Sequence, residues 1–237
     1  MHWKSVNRGV ARGKVVSKVY GPRKPTLKAF IEYATLGGVF LMTFVTVYGF
    51  TNARASGIAR EELLVWYHPL ELQIPFIPEW FIVYMSIGFM LWSPLVFCPT
   101  HVWRRYFVSL MLTTFGAGFF FYFFPFDCGF VREIPPDGIW HDFLTGFYGY
   151  DHPHNLVPSL HIAFCTGSVL WIRGEVEGRW YYFFHLWGLA IYASVLLTHQ
   201  HHVIDIVTGA ALSFGMYRLA PVICDQLGTY FEEPGST

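Results

Sequence analysis

Long apolar runs separated by short polar ones dominate this chain. A bilayer core about 30 Å thick is crossed by roughly 20 mostly apolar residues in helical form. That ruler predicts six spans, at 33–50, 80–98, 106–125, 157–172, 181–197 and 203–223. The second and third contain no charged residue. The fourth is short, and the last two carry His185, Asp205 and Arg218, which makes these three weaker as lipid-facing helices. Five spans, or seven elements, fit the same pattern. Two of the polar intervals are long. The first, 51–79, contains Leu72-Gln73-Ile74-Pro75-Phe76-Ile77-Pro78, a mixture suited to lying in the membrane interface. The second, 126–156, holds Arg132, Asp137, His141, Asp142, Asp151, His152 and His154.

Composition strengthens this reading. Charged residues make up 14% of the chain, against about 25% in soluble domains. The expected fold class is therefore an all-α integral membrane protein, a six-transmembrane-helix bundle. Its expected parts are a basic cytosolic tail (1–28), a membrane domain (29–223) and a C-terminal cytosolic tail (224–237), with no linker and no repeat. Lysine and arginine set the orientation. Residues 1–28 hold Lys4, Arg8, Arg12, Lys14, Lys18, Arg23, Lys24 and Lys28. With that tail inside, Arg104, Arg105, Arg173, Arg179 and Arg218 also fall inside, and only Arg54, Arg60 and Arg132 fall outside. Thirteen against three predicts an N-in/C-in topology. The start does not read as a cleavable signal, because its charged region is too long and its first apolar run is of spanning length. The scattered Cys98, Cys128, Cys165 and Cys224 form no CxxC pair and read as packing residues.

Two segments carry candidate chemistry: Asn155-Leu156-Val157-Pro158-Ser159-Leu160-His161, and Thr198-His199-Gln200-His201-His202-Val203-Ile204-Asp205. The topology places both at the outer mouth of the bundle. His201 and Asp205 are four apart and share a helical face, where a carboxylate fixes the imidazole's tautomer and stabilises its cation. Pro158 suits a first helical turn. The N–H groups of that turn, with Ser159, are expected to form an anion site toward which His161 points. Ionisable groups at such a depth are functional candidates because burying them is costly. His199 and His202 read equally well as supporting partners or as interfacial groups. His68 and His141 read as surface groups, and His185 as a helix–helix hydrogen bonder. The aromatic third span reads as packing and lipid contact rather than a lipid-tail groove.

Pro158-Ser159-x-His161 together with Ser194…His201-x-x-x-Asp205 resembles the type 2 phosphatidic acid phosphatase superfamily of six-helix membrane proteins. The branch containing inositol phosphorylceramide synthase and sphingomyelin-synthase-like phosphotransferases is more similar still, and Ile74-Pro75-Phe76-Ile77-Pro78 fits it. The resemblance spans about residues 70–215. It implies that His201 attacks a lipid phosphate and becomes a phosphohistidine. Asp205 would polarise His201, and His161 would act as acid and then base. It further implies phosphate contacts from Arg132, Ser159, Ser194 and His199, and no metal or other cofactor. The implied partners are a phospholipid, sphingolipid or polyprenyl-phosphate substrate in the bilayer, and no nucleic acid. The site would face periplasm, exterior or lumen. The superfamily's first motif, a lysine with a later Arg-Pro, is absent, and Val195 stands where an arginine usually follows the serine. These losses favour transfer over hydrolysis, and they also fit a catalytically degenerate scaffold of the same fold. A membrane di-iron oxidase or desaturase is a further rival, motivated by the density of histidine, although no HxxxH or HxxHH box occurs.

Overall fold

The computed structural model describes residues 22–150, 153–228 and 231. Lys4, Arg8, Arg12, Lys14, Lys18, Asp151 and His152 lie outside the described residues, as does most of the expected C-terminal tail. Eight α-helices follow in order: α1 (Leu27–Ser56), α2 (Phe81–Met85), α3 (Ile87–Phe97), α4 (Thr100–Phe123), α5 (Ile139–Tyr150), α6 (Leu160–Ile172), α7 (Arg179–Leu197) and α8 (Val203–Leu227). Five helical segments are long and apolar enough to cross a membrane: Leu27–Ser56, Pro78–Phe97, Thr100–Phe123, Arg179–Leu197 and Val203–Leu227. The chain is an all-α membrane protein.

The fourth expected span departs from the bilayer ruler for a physical reason. Helix α6 has 13 residues, about 20 Å at 1.5 Å per residue. Its residues Ile162, Ala163, Cys165, Gly167, Ser168 and Ile172 are buried, and it packs against α3, α4, α7 and α8. A helix jacketed by protein does not have to match the thickness of the hydrocarbon. Ser159 caps it, accepting the Ile162 N–H at 3.3 Å, so Pro158 precedes the cap instead of occupying the first turn.

Other boundaries also moved. The expected 80–98 span is two helices meeting at Ser86, where the Ser86 hydroxyl turns to the Val83 carbonyl at 2.5 Å and accepts Trp187 Nε1–H at 2.8 Å. Helix α4 begins six residues earlier than the apolar run, because Arg104 is neutralised by Glu32 of α1 at 2.7 Å. Helix α8 runs through residue 224, with Cys224 buried, so the expected tail starts too early. Helix α5 falls within a stretch expected to be loop. Its Trp140, Phe143, Leu144, Phe147 and Tyr148 follow the i, i+3, i+4 spacing of an apolar stripe and pack on Phe81 and Tyr84.

Lipid gives helices no hydrophobic reason to associate, so shape and interhelical hydrogen bonds carry the packing. Tyr33 Oη donates to the Leu91 carbonyl at 2.6 Å, Tyr106 Oη meets Ser168 Oγ at 2.9 Å, and Thr166 Oγ1 meets Tyr192 Oη at 2.6 Å. Such bonds are worth about 0.6 kcal/mol each, up to about 1.7. At Gly209, α8 comes close to the backbone at the head of α6, since a Cβ there would stand 2.5 Å from the Ser159 carbonyl oxygen.

Candidate functional site

The turn from α7 to α8 builds the centre of the site. The Val195 carbonyl, at the end of α7, accepts the N–H groups of both Gln200 and His201, at 3.0 and 3.1 Å. His199 adopts a left-handed backbone (φ 53°), which is uncommon for a residue with a side chain. This reversal is tight enough to turn His201 back over the start of α8. There Asp205 Oδ2 accepts His201 Nδ1–H at 3.1 Å and the His202 backbone N–H at 3.0 Å. The second bond is half of a capping box, and it holds the carboxylate at the positive end of the helix dipole. Asp205 is 1% exposed. With the proton on Nδ1, the His201 Nε2 lone pair is left for chemistry.

His161 comes from the first turn of α6. Its Nε2–H donates to the Tyr84 carbonyl at 2.7 Å, and its ring stacks on that of Tyr84 at 3.8 Å. A carbonyl can only accept, so the neutral ring leaves Nδ1 as its acceptor. The Ser159 N–H donates to the Asp205 carbonyl at 3.1 Å, which ties the start of α6 to the start of α8.

One half-enclosed cavity of about 700 Å³ is lined by both His161 and His201. The remaining walls include Phe40, Phe44 and Tyr48 of α1, Tyr84, Leu91 of α3, Phe143 and Phe147 of α5, Asn155, and Phe164 of α6. No lysine or arginine stands among these lining residues. The outward aromatics of α4 (Phe115, Phe119, Phe123) are exposed and do not line it.

The other expected site residues are placed elsewhere. Ser159 Oγ caps α6, so the first turn is partly satisfied by its own side chain and the expected serine-assisted anion cradle is reduced. Ser194 is fully buried and donates to the Ile191 carbonyl at 2.7 Å within α7. The Arg132 guanidinium lies 4.6 Å from the Tyr148 ring centroid. His199 Nε2–H donates to the Ile74 carbonyl at 2.8 Å, and its ring stacks on Phe130 at 4.2 Å. His199 thus braces the turn and pins the Leu72–Pro78 stretch, whose Ile77 N–H also donates to the Leu197 carbonyl at 2.8 Å.

His202 has a clearer role than its sequence offered. It is sandwiched between Tyr67 at 4.5 Å and Phe130 at 4.3 Å, accepts the Gly129 N–H on Nε2 at 3.1 Å, and donates from Nδ1 to Glu71 Oε2 at 3.2 Å. Gly129 has no side chain because the Tyr67 ring occupies that space. Burial pushes the His202 imidazole below its ordinary value, against the pull of Asp205 and Glu71. Burial alone would raise the Glu71 carboxyl, but N–H donors from His68 and Val203 and the His202 ring hold it below the usual carboxylate range. The segments that precede α2 and α5 are thereby clasped over the turn from α7 to α8.

Among the described residues, no three His, Cys, Asp or Glu side chains are placed to hold a metal ion, so the di-iron reading lacks its ligand set there. Comparisons with protein-family models, curated proteins and solved structures find no match.

Proposed function

We propose that the chain is a membrane-embedded lipid phosphotransferase or phosphatase working through a phosphohistidine, with transfer favoured over hydrolysis. The observation that carries this reading is a cavity lined by both His161 and the Asp205-paired His201. His201 Nε2 attacks the phosphorus of a phospholipid, sphingolipid or polyprenyl phosphate. The N–P bond forms as the bond to the leaving oxygen breaks, and His161, carrying on Nδ1 the proton it took from the acceptor of the preceding turnover, gives it to that oxygen. Neutral His161 then takes the proton of an acceptor hydroxyl, whose oxygen bonds to phosphorus as the N–P bond breaks. Asp205 keeps His201 in the reactive tautomer throughout. A cavity of about 700 Å³ lies within the usual size of ligand sites, roughly 300–1,000 Å³, and its apolar walls suit a lipid tail and disfavour water.

The same proposal includes six crossings, an N-in/C-in topology, and a site on the non-cytosolic face. Of the eleven described lysines and arginines, Arg54, Arg60 and Arg132 fall on segments at the cavity's end of the bundle, and the other eight toward the opposite end. That asymmetry supports the orientation.

The decisive test uses lipid phosphates labelled at phosphorus: a phosphatidic acid, a phosphorylated sphingoid base and a polyprenyl phosphate. A phosphohistidine is expected on the wild-type protein and none on His201→Ala. Turnover surviving in His201→Ala would overturn the mechanism. A second reading, a catalytically degenerate scaffold, draws on the absence of lysine and arginine from the cavity wall. It requires that no adduct form on wild type with any of the three lipids.

A further inference from the structure

We propose that the groove between α6 and α7 is a second lipid site, taking a single-chain anionic phospholipid with a free backbone hydroxyl, of the lysophosphatidate class. The groove holds about 280 Å³, and its walls include Thr166, Val169 and Arg173 on one side and His185, Leu189 and Tyr192 on the other. None of its α7 residues lines the catalytic cavity, so the proposal stands apart from the phosphotransfer reading. Arg173 and Leu189 are exposed, and the groove opens to lipid. Gly188 marks where the two helices cross, since a Cβ there would stand 3.2 Å from Val169 Cγ2 and 3.6 Å from Cys165 Sγ. From that level toward the basic end of the bundle comes first His185, three residues along α7, about 4–5 Å. Arg173 follows, four to eight residues along α6, about 6–12 Å. On the other side of the crossing, Tyr192 Oη meets Thr166 Oγ1 at 2.6 Å.

Each polar group sets a demand on the ligand. Arg173 makes no ion pair with any described residue, and its guanidinium lies 6.0 Å from the Tyr217 ring centroid. Helix α6, with 13 residues, is about 20 Å long, short of a hydrocarbon core of about 30 Å. A cation left at its end calls for an anionic partner, and basic pockets between membrane helices take lipid head-group phosphates. His185, expected to hydrogen-bond another helix, instead donates Nδ1–H to the Tyr181 carbonyl of its own helix at 2.7 Å. Its neutral ring keeps Nε2 as an acceptor. An acceptor does not bind an ionised phosphate, so His185 calls for a hydroxyl placed one level deeper than the phosphate. The free glycerol hydroxyl of a lysophospholipid lies there, between phosphate and chain. Thr166 spends its proton on the Ile162 carbonyl at 2.7 Å, so the Tyr192 hydroxyl donates to Thr166 and the far end offers no donor for a second polar group. What remains is an apolar channel past Val169 and Leu189. Its 280 Å³ falls below the usual ligand-site range of roughly 300–1,000 Å³, which suits one acyl chain and not two.

The test uses the full chain in lipid nanodiscs and three photoreactive probes with a diazirine in the acyl chain. The first is a lysophosphatidate whose phosphorus is joined through carbon, so that the proposed catalytic turn does not cleave it. The second is its glycerol methyl ether, which has no proton to donate. The third is its choline ester, whose quaternary ammonium offsets the anionic charge. Labelling is read on α7 residues 185–192, which border the groove and not the cavity, relative to labelling of the outward α4 aromatics Phe115, Phe119 and Phe123. Below saturation, the first probe should exceed the choline ester roughly 5-fold, the effect of one cationic side chain on an anionic lipid. It should exceed the methyl ether roughly 3- to 10-fold, the effect of one net hydrogen bond. Arg173→Gln should remove the first preference and His185→Phe the second. Equal labelling by the first probe and either of the others on wild type would overturn the proposal. Those comparisons need no variant, so they decide even if a substitution fails to fold. A preference that persists in its folded variant would also overturn it. A phosphohistidine forming on His201 without these preferences would leave the phosphotransfer reading intact and sink the groove site. The preferences without any phosphohistidine would do the reverse.

Discussion

Asp205 does three things with one carboxylate and one carbonyl. It orients His201, caps α8 through the His202 N–H, and accepts from Ser159 at the head of α6. Asp205→Asn keeps an oxygen for the cap, but its NH₂ can face His201 and favour the wrong tautomer. Turnover should fall on the order of 10³- to 10⁴-fold, as expected when such a carboxylate is lost, while melting shifts by no more than about 1–2 kcal/mol. Parallel activity and thermal-unfolding measurements check this, and an equal collapse of both would make Asp205 structural only. The Glu71–His202 clasp carries a pH dependence whose sign is fixed. Both groups titrate below their ordinary values, so the unfolded chain binds protons more readily and acid disfavours the fold. The contribution is full above the ordinary histidine value of 6.5 and is lost as pH falls, through His202 first and then through Glu71 below 4.5. Glu71→Gln should cost about 2 kcal/mol at pH 8, the scale of a charge-assisted bond, and should flatten the most acidic part of the profile. Thermal unfolding between pH 8 and 4 reads both, and a flat wild-type profile would refute the clasp. The i, i+4 spacing made the His201–Asp205 pair legible in the sequence. Tyr84 was not, because it acts through a contact 77 residues away along the chain.

Elements position these residues through close approaches that residue patterns do not display. Helices α6 and α8 meet at Gly209, one turn beyond Asp205, with the Ser159 carbonyl where a Cβ would be. Gly209→Ala would push the helices apart and stretch the Ser159–Asp205 bond that joins the heads of α6 and α8. Overpacking of this kind costs about 1–3 kcal/mol, and turnover should drop with it. A variant as stable and active as wild type would show that the contact is not tight. The interruption between α2 and α3 has a similar consequence, since it falls beside the carbonyl of Tyr84 that holds His161. Apolar runs predicted most of the long helices well, because hydrocarbon demands them. They missed the break at Ser86, which a polar contact to Trp187 supports locally. They also missed α5, whose stripe of Trp140, Phe143 and Phe147 was readable in principle but lay inside a stretch crowded with His, Asp, Gly and Pro.

At the scale of the whole molecule, the two ends of the bundle differ in kind. One end gathers the clasp, the turn from α7 to α8 and the segments before α2 and α5, which bridge one another through the Leu64 N–H to the Pro125 carbonyl at 3.0 Å and the Asp127 N–H to the Leu64 carbonyl at 2.8 Å. The other end gathers basic side chains anchored to the bundle, with Arg104 on Glu32 at 2.7 Å and Arg105 on Asp225 at 2.8 Å. If Lys and Arg stay on the cytosolic side, the cavity faces outward. The native cysteines do not interfere with a labelling test, because all four are buried. Single cysteines at the exposed positions Glu61 and Asp137 mark the cavity end, and at the exposed Lys24 and Arg179 the opposite end. A membrane-impermeant maleimide applied to intact cells should label Glu61→Cys and Asp137→Cys, and should reach Lys24→Cys and Arg179→Cys only after permeabilisation. The reverse pattern would put the cavity in the cytosol. Labelling at Arg179→Cys together with the outer pair would mean that α6, at 13 residues, does not carry the chain across, leaving five crossings and the two catalytic turns without a common face.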